Sequence, residues 1–342
     1  MDDKKFKPKP FWQEIIMKKE DLADYYREKR KYNYEQGKAI KNMKWRKMIQ
    51  PFLIKLMELD RRLIHKQTFK ILKDEHTENE KPVIYAITHV GKFDYQIISE
   101  AIKKHQIPFT GDPEAMYRTG DGFIMELNGV VYCDTDDKKD RKVAYNTATE
   151  YIKQGNNLAI YPEGVWNLTP NLLMLPIFSG VINLSMKTGA DIIPIAIEQY
   201  DKEFIINIGK NTKVPELLSI TEQQKEEYIE EQKRKLRDEM AKLKWEIFES
   251  KGIEKRESVG DYSEIYKNFV TTRFDEWFDK KTGQNFYNED IVFRRTRKAK
   301  NVTLSKEAFS YLKKLNLNKN NAFLISKNVE YPGDVKLVKT KK

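Results

Sequence analysis

Between Val83 and Ile208, short runs rich in Val, Ile and Tyr alternate with helix-patterned stretches, and no other feature constrains the fold as much. Strands are expected at Val83–Thr88, Gly129–Asp134, Asn157–Tyr161, Asp191–Ile197 and Glu203–Ile208, each bounded by Gly, Asp or Pro. Helical patterns fall between them at Tyr95–Lys104, Lys138–Gln154 and Gly180–Lys187. This order implies an α/β fold with a largely parallel sheet flanked by helices, in which loops at the strand ends carry the chemistry.

The flanks differ from this centre. Trp45, Met48, Ile49, Phe52, Leu53, Leu56, Leu59 and Leu63 recur at steps of three and four, one apolar face of a helix that Pro51 kinks or restarts. Lys38, Lys41, Lys44, Arg46, Lys47, Lys55, Arg61, Arg62, Lys66, Lys70 and Lys73 edge or punctuate that face. Two readings follow: the stripe docks on the protein core, or it lies in a membrane interface. Beyond Pro215, Thr221–Ser250 reads as a long amphipathic helix with a Ser219/Thr221 cap and an end near Gly252. A second helix is expected at Tyr262–Phe278, a turn at Lys280–Gly283 and a small ordered piece at Ser305–Leu315. The chain thus divides into a basic N-terminal region with amphipathic helices (1–80), an α/β domain with its closing helix (81–252) and a helical, basic C-terminal extension (253–342).

Composition narrows the function. Aromatic residues make up 12% of the 342, more than a disordered tail protein carries, so a packed core is expected. No run of about 18 apolar residues suggests a membrane span, and the charged start Met1-Asp2-Asp3-Lys4-Lys5 does not read as a signal peptide. The single Cys133 allows no internal disulfide and no thiolate-rich zinc site, which favours a reducing cytoplasm; separately, no cofactor is expected. The net charge of +11 is unevenly spread: residues 291–342 hold 14 Lys/Arg against 3 Asp/Glu, and residues 1–80 hold 21 against 14. The centre, with 28 against 35, is acidic. The ends are therefore expected to meet a polyanion, an anionic membrane surface first, unless their lysines serve only solubility.

Two clusters carry candidate chemistry. In His89-Val90-Gly91-Lys92-Phe93-Asp94, a helix would leave His and Asp roughly 140° apart, but a strand end, a Gly turn and a helix start can bring them together. Asp94 would then hold one imidazole nitrogen and leave the other as a base; the plainer alternative is a helix-capping Asp94 beside a strand-end histidine. The second cluster, Tyr161-Pro162-Glu163-Gly164-Val165-Trp166-Asn167, follows another strand end, and Ile192-Ile193-Pro194-Ile195 lies in a later strand.

In this order the motifs resemble the glycerolipid acyltransferase superfamily, which includes the lysophosphatidate acyltransferases, over roughly residues 81–210, with Gly129–Asp134 at the intermediate motif. The resemblance implies acyl transfer from a thioester, acyl-CoA or acyl-carrier protein, to a lipid hydroxyl, most naturally that of 1-acylglycerol-3-phosphate. His89 oriented by Asp94 would be the general base, with backbone N–H groups stabilising the oxyanion, while Glu163 and Gly164 shape the acceptor and thioester site. Thr135 and Trp166 stand where relatives carry phosphate-binding arginines; Lys138, Lys139 and Arg141 are the substitutes near in sequence, and Trp166 with Asn167 would suit a sugar or larger headgroup. The expected location is cytoplasmic, peripheral on the inner membrane surface.

Other classes fit less well. Nucleic-acid binding lacks a finger, RNP or helix-turn-helix motif, Gly120-Asp121-Gly122 lacks the third glycine of a dinucleotide loop, and no Gly-x-Ser-x-Gly elbow exists. Acylation of a glycolipid or sugar, and a non-catalytic membrane- or nucleic-acid-binding protein, are the alternatives.

Overall fold

A computed structural model describes residues 6–250 apart from 42, 79, 112–116, 118, 168–172, 201 and 216–220, and beyond these only 278–279 and 284–285. The expected helix at Tyr262–Phe278 and ordered piece at Ser305–Leu315 therefore lie outside the described residues, except that Phe278–Asp279 pairs antiparallel with Gln284–Asn285, so Phe278 is strand and not helix.

The central sheet has seven strands: β1 (Thr68–Asp74), β2 (Val83–Ile87), β3 (Gln106–Gly111), β4 (Val131–Cys133), β5 (Asn157–Ile160), β6 (Asp191–Tyr200) and β7 (Glu203–Ile208). Their spatial order is β1-β7-β6-β2-β5-β3-β4, and every neighbouring pair is parallel except β6 with β7. All five expected strands form, within a few residues of their predicted ends.

Strand alternation sorts the core into two layers. Ile84, Ala86, Leu158, Ile160, Ile192 and Ala196 face one cluster, while Val83, Tyr85, Ile87, Ala159, Ile193, Ile195 and Ile197 face the other. The first layer is closed by α7 (Lys138–Lys153), α8 (Gly180–Thr188) and α9 (Glu222–Ser250). The second is closed by α4 (Met43–Leu59) and α5 (Asp94–Ile102). β2 and β6 are buried along their whole length, which is why β2 and the Ile192–Ile197 part of β6 read as continuous apolar runs.

The N-terminal region adds α1 (Phe11–Ile15), α2 (Lys19–Glu35) and α3 (Lys38–Lys41) before α4, and a π-helical turn at Asp60–His65 after it. α4 continues through Pro51 and docks by Met43, Gln50, Leu53 and Met57. Gln50 supports this docking from inside: its amide donates to Gln106 O at 2.7 Å and Asn128 Oδ1 at 2.9 Å, and its Oε1 accepts from Gln106 N at 3.1 Å. Of the expected stripe only Leu53 is buried; Trp45, Met48, Phe52, Leu56, Leu59 and Leu63 form an exposed ridge, with Met48 at 77% and Leu63 at 71%. Core docking thus belongs to a neighbouring face of the helix. Lys70 and Lys73, read as edging the helix, stand instead on β1, an edge strand. Gly120-Asp121-Gly122 opens α6 (Gly120–Leu127), where the Thr119 hydroxyl accepts from Gly122 N at 3.1 Å.

Candidate active site

β2 is the central strand, and the chain leaves its carboxyl end through Thr88 into His89. The Thr88 hydroxyl donates to Ile197 O at 3.2 Å and accepts from Ile197 N at 3.0 Å, pinning this exit to β6. The following turn wraps around one carboxylate oxygen: Asp94 Oδ2 accepts from Val90 N at 2.7 Å and Gly91 N at 3.1 Å, and lies 2.8 Å from His89 Nδ1. Asp94 is 1% exposed and opens α5, where its charge also meets the positive end of the helix dipole. The expected capping role is not what the side chain does: Phe93 holds the N-cap position without a side-chain cap bond, and the Asp94 carboxylate turns back to the preceding turn and to His89. With Nδ1–H directed to Asp94, Nε2 of the half-buried His89 is the nitrogen that can take a proton.

The second cluster holds His89 from the side of β5, the strand next to β2. Tyr161 stacks on the imidazole with ring centroids 4.3 Å apart and 25° between planes, and Trp166 meets it edge-on at 6.0 Å. Glu163 is fully buried; its Oε1 accepts from His89 N at 3.4 Å and its Oε2 from Leu175 N at 2.8 Å. Asn167 N donates to His89 O at 3.2 Å. Gly164 is required by its backbone: φ is +71°, and a Cβ there would sit 2.4 Å from Cε2 of Phe178.

The structure brings His89, Asp94, Glu163, Gly164, Trp166 and Asn167 together and leaves the others apart. Lys138, Lys139 and Arg141 are exposed on the first turn of α7, which follows β4. β4 lies three strand positions from β2, about 14 Å at ~4.8 Å per step. Arg141 is engaged there by Thr135 O at 2.5 Å. These cations are thus poor substitutes beside His89, because sequence proximity to β4 is not proximity to β2. Trp166, at 1% exposure, is a wall of the site and offers no open face for stacking a headgroup.

Sequence reasoning assigned no role to Tyr161, Phe178 or Lys92. Lys92 is an exposed cation on the turn between His89 and Asp94, with Nζ 4.7 Å from the Phe93 ring centroid; the far side of this corner is His65, whose ring lies 4.7 Å from that of Phe93. The lysine was in plain view within the motif. Among the described residues no group of three or more His, Cys, Asp or Glu is placed to hold a metal.

A histidine held by a buried carboxylate, at the end of a central strand in an α/β sheet, is an arrangement able to take a proton from a nucleophile. Residues 68–198 match the family model described as Acyltransferase, a span running from the start of β1 into β6 and containing every element that builds the site. The chain carries an acyltransferase domain, and it is an enzyme of acyl transfer. Among solved structures it is similar to the 1-acyl-sn-glycerophosphate (LPA) acyltransferase PlsC from Thermotoga maritima, at 15% identity over 66% of this chain and 84% of that one, with a TM-score of 0.41. No curated protein matches the chain.

Proposed function

We propose that the protein transfers an acyl group from a thioester, acyl-CoA or acyl-carrier protein, to the hydroxyl of a lysophospholipid, with 1-acylglycerol-3-phosphate as the first acceptor. The observation that carries this reading is the His89 Nδ1–Asp94 Oδ2 contact of 2.8 Å within the acyltransferase-matched span. His89 Nε2 takes the proton as the acceptor oxygen attacks the thioester carbonyl; the C–S bond then breaks, and the thiolate leaves with that proton. Asp94 stabilises the imidazolium formed on the way. Glu163 acts through the backbone: a buried carboxylate bonded to His89 N and Leu175 N sets the position of the base.

For the acceptor, Lys92 supplies a cation on the catalytic turn itself, which supports an anionic headgroup over a neutral one. The glycolipid reading relied on stacking on Trp166 and hydrogen bonds to Asn167, and the burial of both side chains weakens that support.

The protein works, in this reading, from the surface of an anionic membrane on its cytoplasmic side. The exposed ridge of α4 and the π-turn supplies the apolar face, with Leu63 and Ile64 each 71% exposed, and Lys44, Lys47, Lys55, Arg62 and Lys66 line its edges. The basic stretch 291–342 adds charge of the same sign. No helix among the described residues is long and apolar enough to cross a membrane.

The test is incubation with acyl-CoA or acyl-carrier protein and lysophosphatidate, monoacylglycerol or a lysoglycolipid of equal chain length, read by mass spectrometry. Lysophosphatidate should gain one acyl chain fastest, and Lys92→Gln should erode that preference. Absence of acylated product from every pairing would overturn the proposal.

A further inference from the structure

The His89–Asp94 pair leaves one buried atom unused. Asp94 Oδ2 carries three contacts, whereas Oδ1 is shielded from solvent and has no hydrogen-bond partner among the described residues. The Tyr161 hydroxyl is in the same condition, on a side chain whose ring already covers the imidazole. Two unpaired polar atoms, an acceptor that needs a donor and a hydroxyl that can donate, flank one histidine from the segments that follow two adjacent strands, β2 and β5.

We propose that Tyr161 is a positioning residue of the catalytic pair: its ring fixes the imidazole plane, and its hydroxyl serves Asp94 Oδ1 through one trapped water. Geometry carries this: the phenol ring stacks on the imidazole that Asp94 holds, and both its hydroxyl and Asp94 Oδ1 are closed off from solvent. Electrostatics agree: burial, then the Asp94 charge, push the phenol's titration well above its usual value, so it stays a neutral donor across the working pH range. A phenylalanine would supply the same stacking without the donor, so the hydroxyl is the part of Tyr161 that needs a reason. A donor at Oδ1 lowers the effective charge of Asp94 and stabilises the state in which His89 is neutral and ready to accept a proton. Removing it should favour the protonated imidazole and move the acid limb of activity upward.

This inference rests on the acyl-transfer reading, and the two fail separately. In full-length Tyr161→Phe, the acid limb of the kcat/KM profile should rise by about 0.5–1 pH unit and kcat should fall about three- to tenfold, with KM for both substrates unchanged. Tyr161 replaced by 3-fluorotyrosine, a stronger donor in the same shape, should move the limb the other way and guards against a folding defect in the phenylalanine variant. An unmoved limb in both variants would overturn the proposal, as would a changed KM with an unmoved limb, which would make Tyr161 a substrate contact. If His89→Ala kept full turnover, the acyl-transfer reading itself would fall.

Discussion

At the scale of single residues, Asp94 does two things with one oxygen: it closes the turn through Val90 N and Gly91 N, and it holds His89 Nδ1. Asp94→Asn preserves the shape but loses the charge and permits the wrong imidazole tautomer, so kcat should drop by about 10²–10⁴ with KM little changed, as steady-state kinetics can measure. His105, between α5 and β3, behaves differently. Burial, aided by nearby Lys47, pushes its titration down to about 4, and neither ring nitrogen has a hydrogen-bond partner among the described residues. The unfolded chain therefore binds a proton there between pH 6.5 and about 4 that the folded chain refuses, so stability is present above that window and lost as pH falls through it. Thermal melts should show a smaller loss between pH 7 and 5 for His105→Gln than for wild type; equal losses would contradict this. The contact between His89 and Asp94 was legible in the sequence because the two are five positions apart in one turn. The Tyr161 stack was not, because it depends on β5 lying beside β2 while β3 and β4 intervene in the chain.

At the scale of elements, burial on both faces decides what a sequence reveals. β2 and the Ile192–Ile197 part of β6 announce themselves as unbroken apolar runs, whereas β1 and β3 give no expectation at all. β1 is an almost wholly exposed edge strand whose lysines mimic a helix flank, and β3 starts with a buried Gln and contains Pro108. α6 is masked by two glycines in its first turn. The α4 stripe is read correctly as a helix face, but periodicity alone cannot say which face turns inward. A variant with Phe52→Ser, Leu56→Ser and Leu63→Ser leaves the buried Met43, Gln50, Leu53 and Met57 untouched. It should keep its melting temperature while losing about a hundredfold in affinity for anionic vesicles, measured by sedimentation. Unchanged affinity would remove the ridge from the membrane contact.

At the scale of the whole molecule, the N-terminal helices are fastened to the far end of the sheet. Arg30 grips Asp140 with bonds of 3.1 and 2.9 Å, Arg27 reaches Asp134 at 2.5 Å, and the π-helical turn after α4 clamps α5 through the buried Arg61–Glu100 pair. The exposed ridge and the catalytic turn therefore belong to one packed body: Met57 of α4 accepts from Gln96 of α5, two residues into the helix that Asp94 begins. If, as proposed, membrane contact occurs at one end of this connection and proton transfer at the other, the protein works on lipid without leaving the surface. The claim beneath all of this is that His89 is the base. Its most direct test is turnover of purified His89→Ala on acyl thioester and lysophosphatidate, beside a thermal melt of the same sample. A loss of about 10²–10⁴ in kcat with an unchanged melt is the expected result; a folded variant that turns over at the wild-type rate would contradict it.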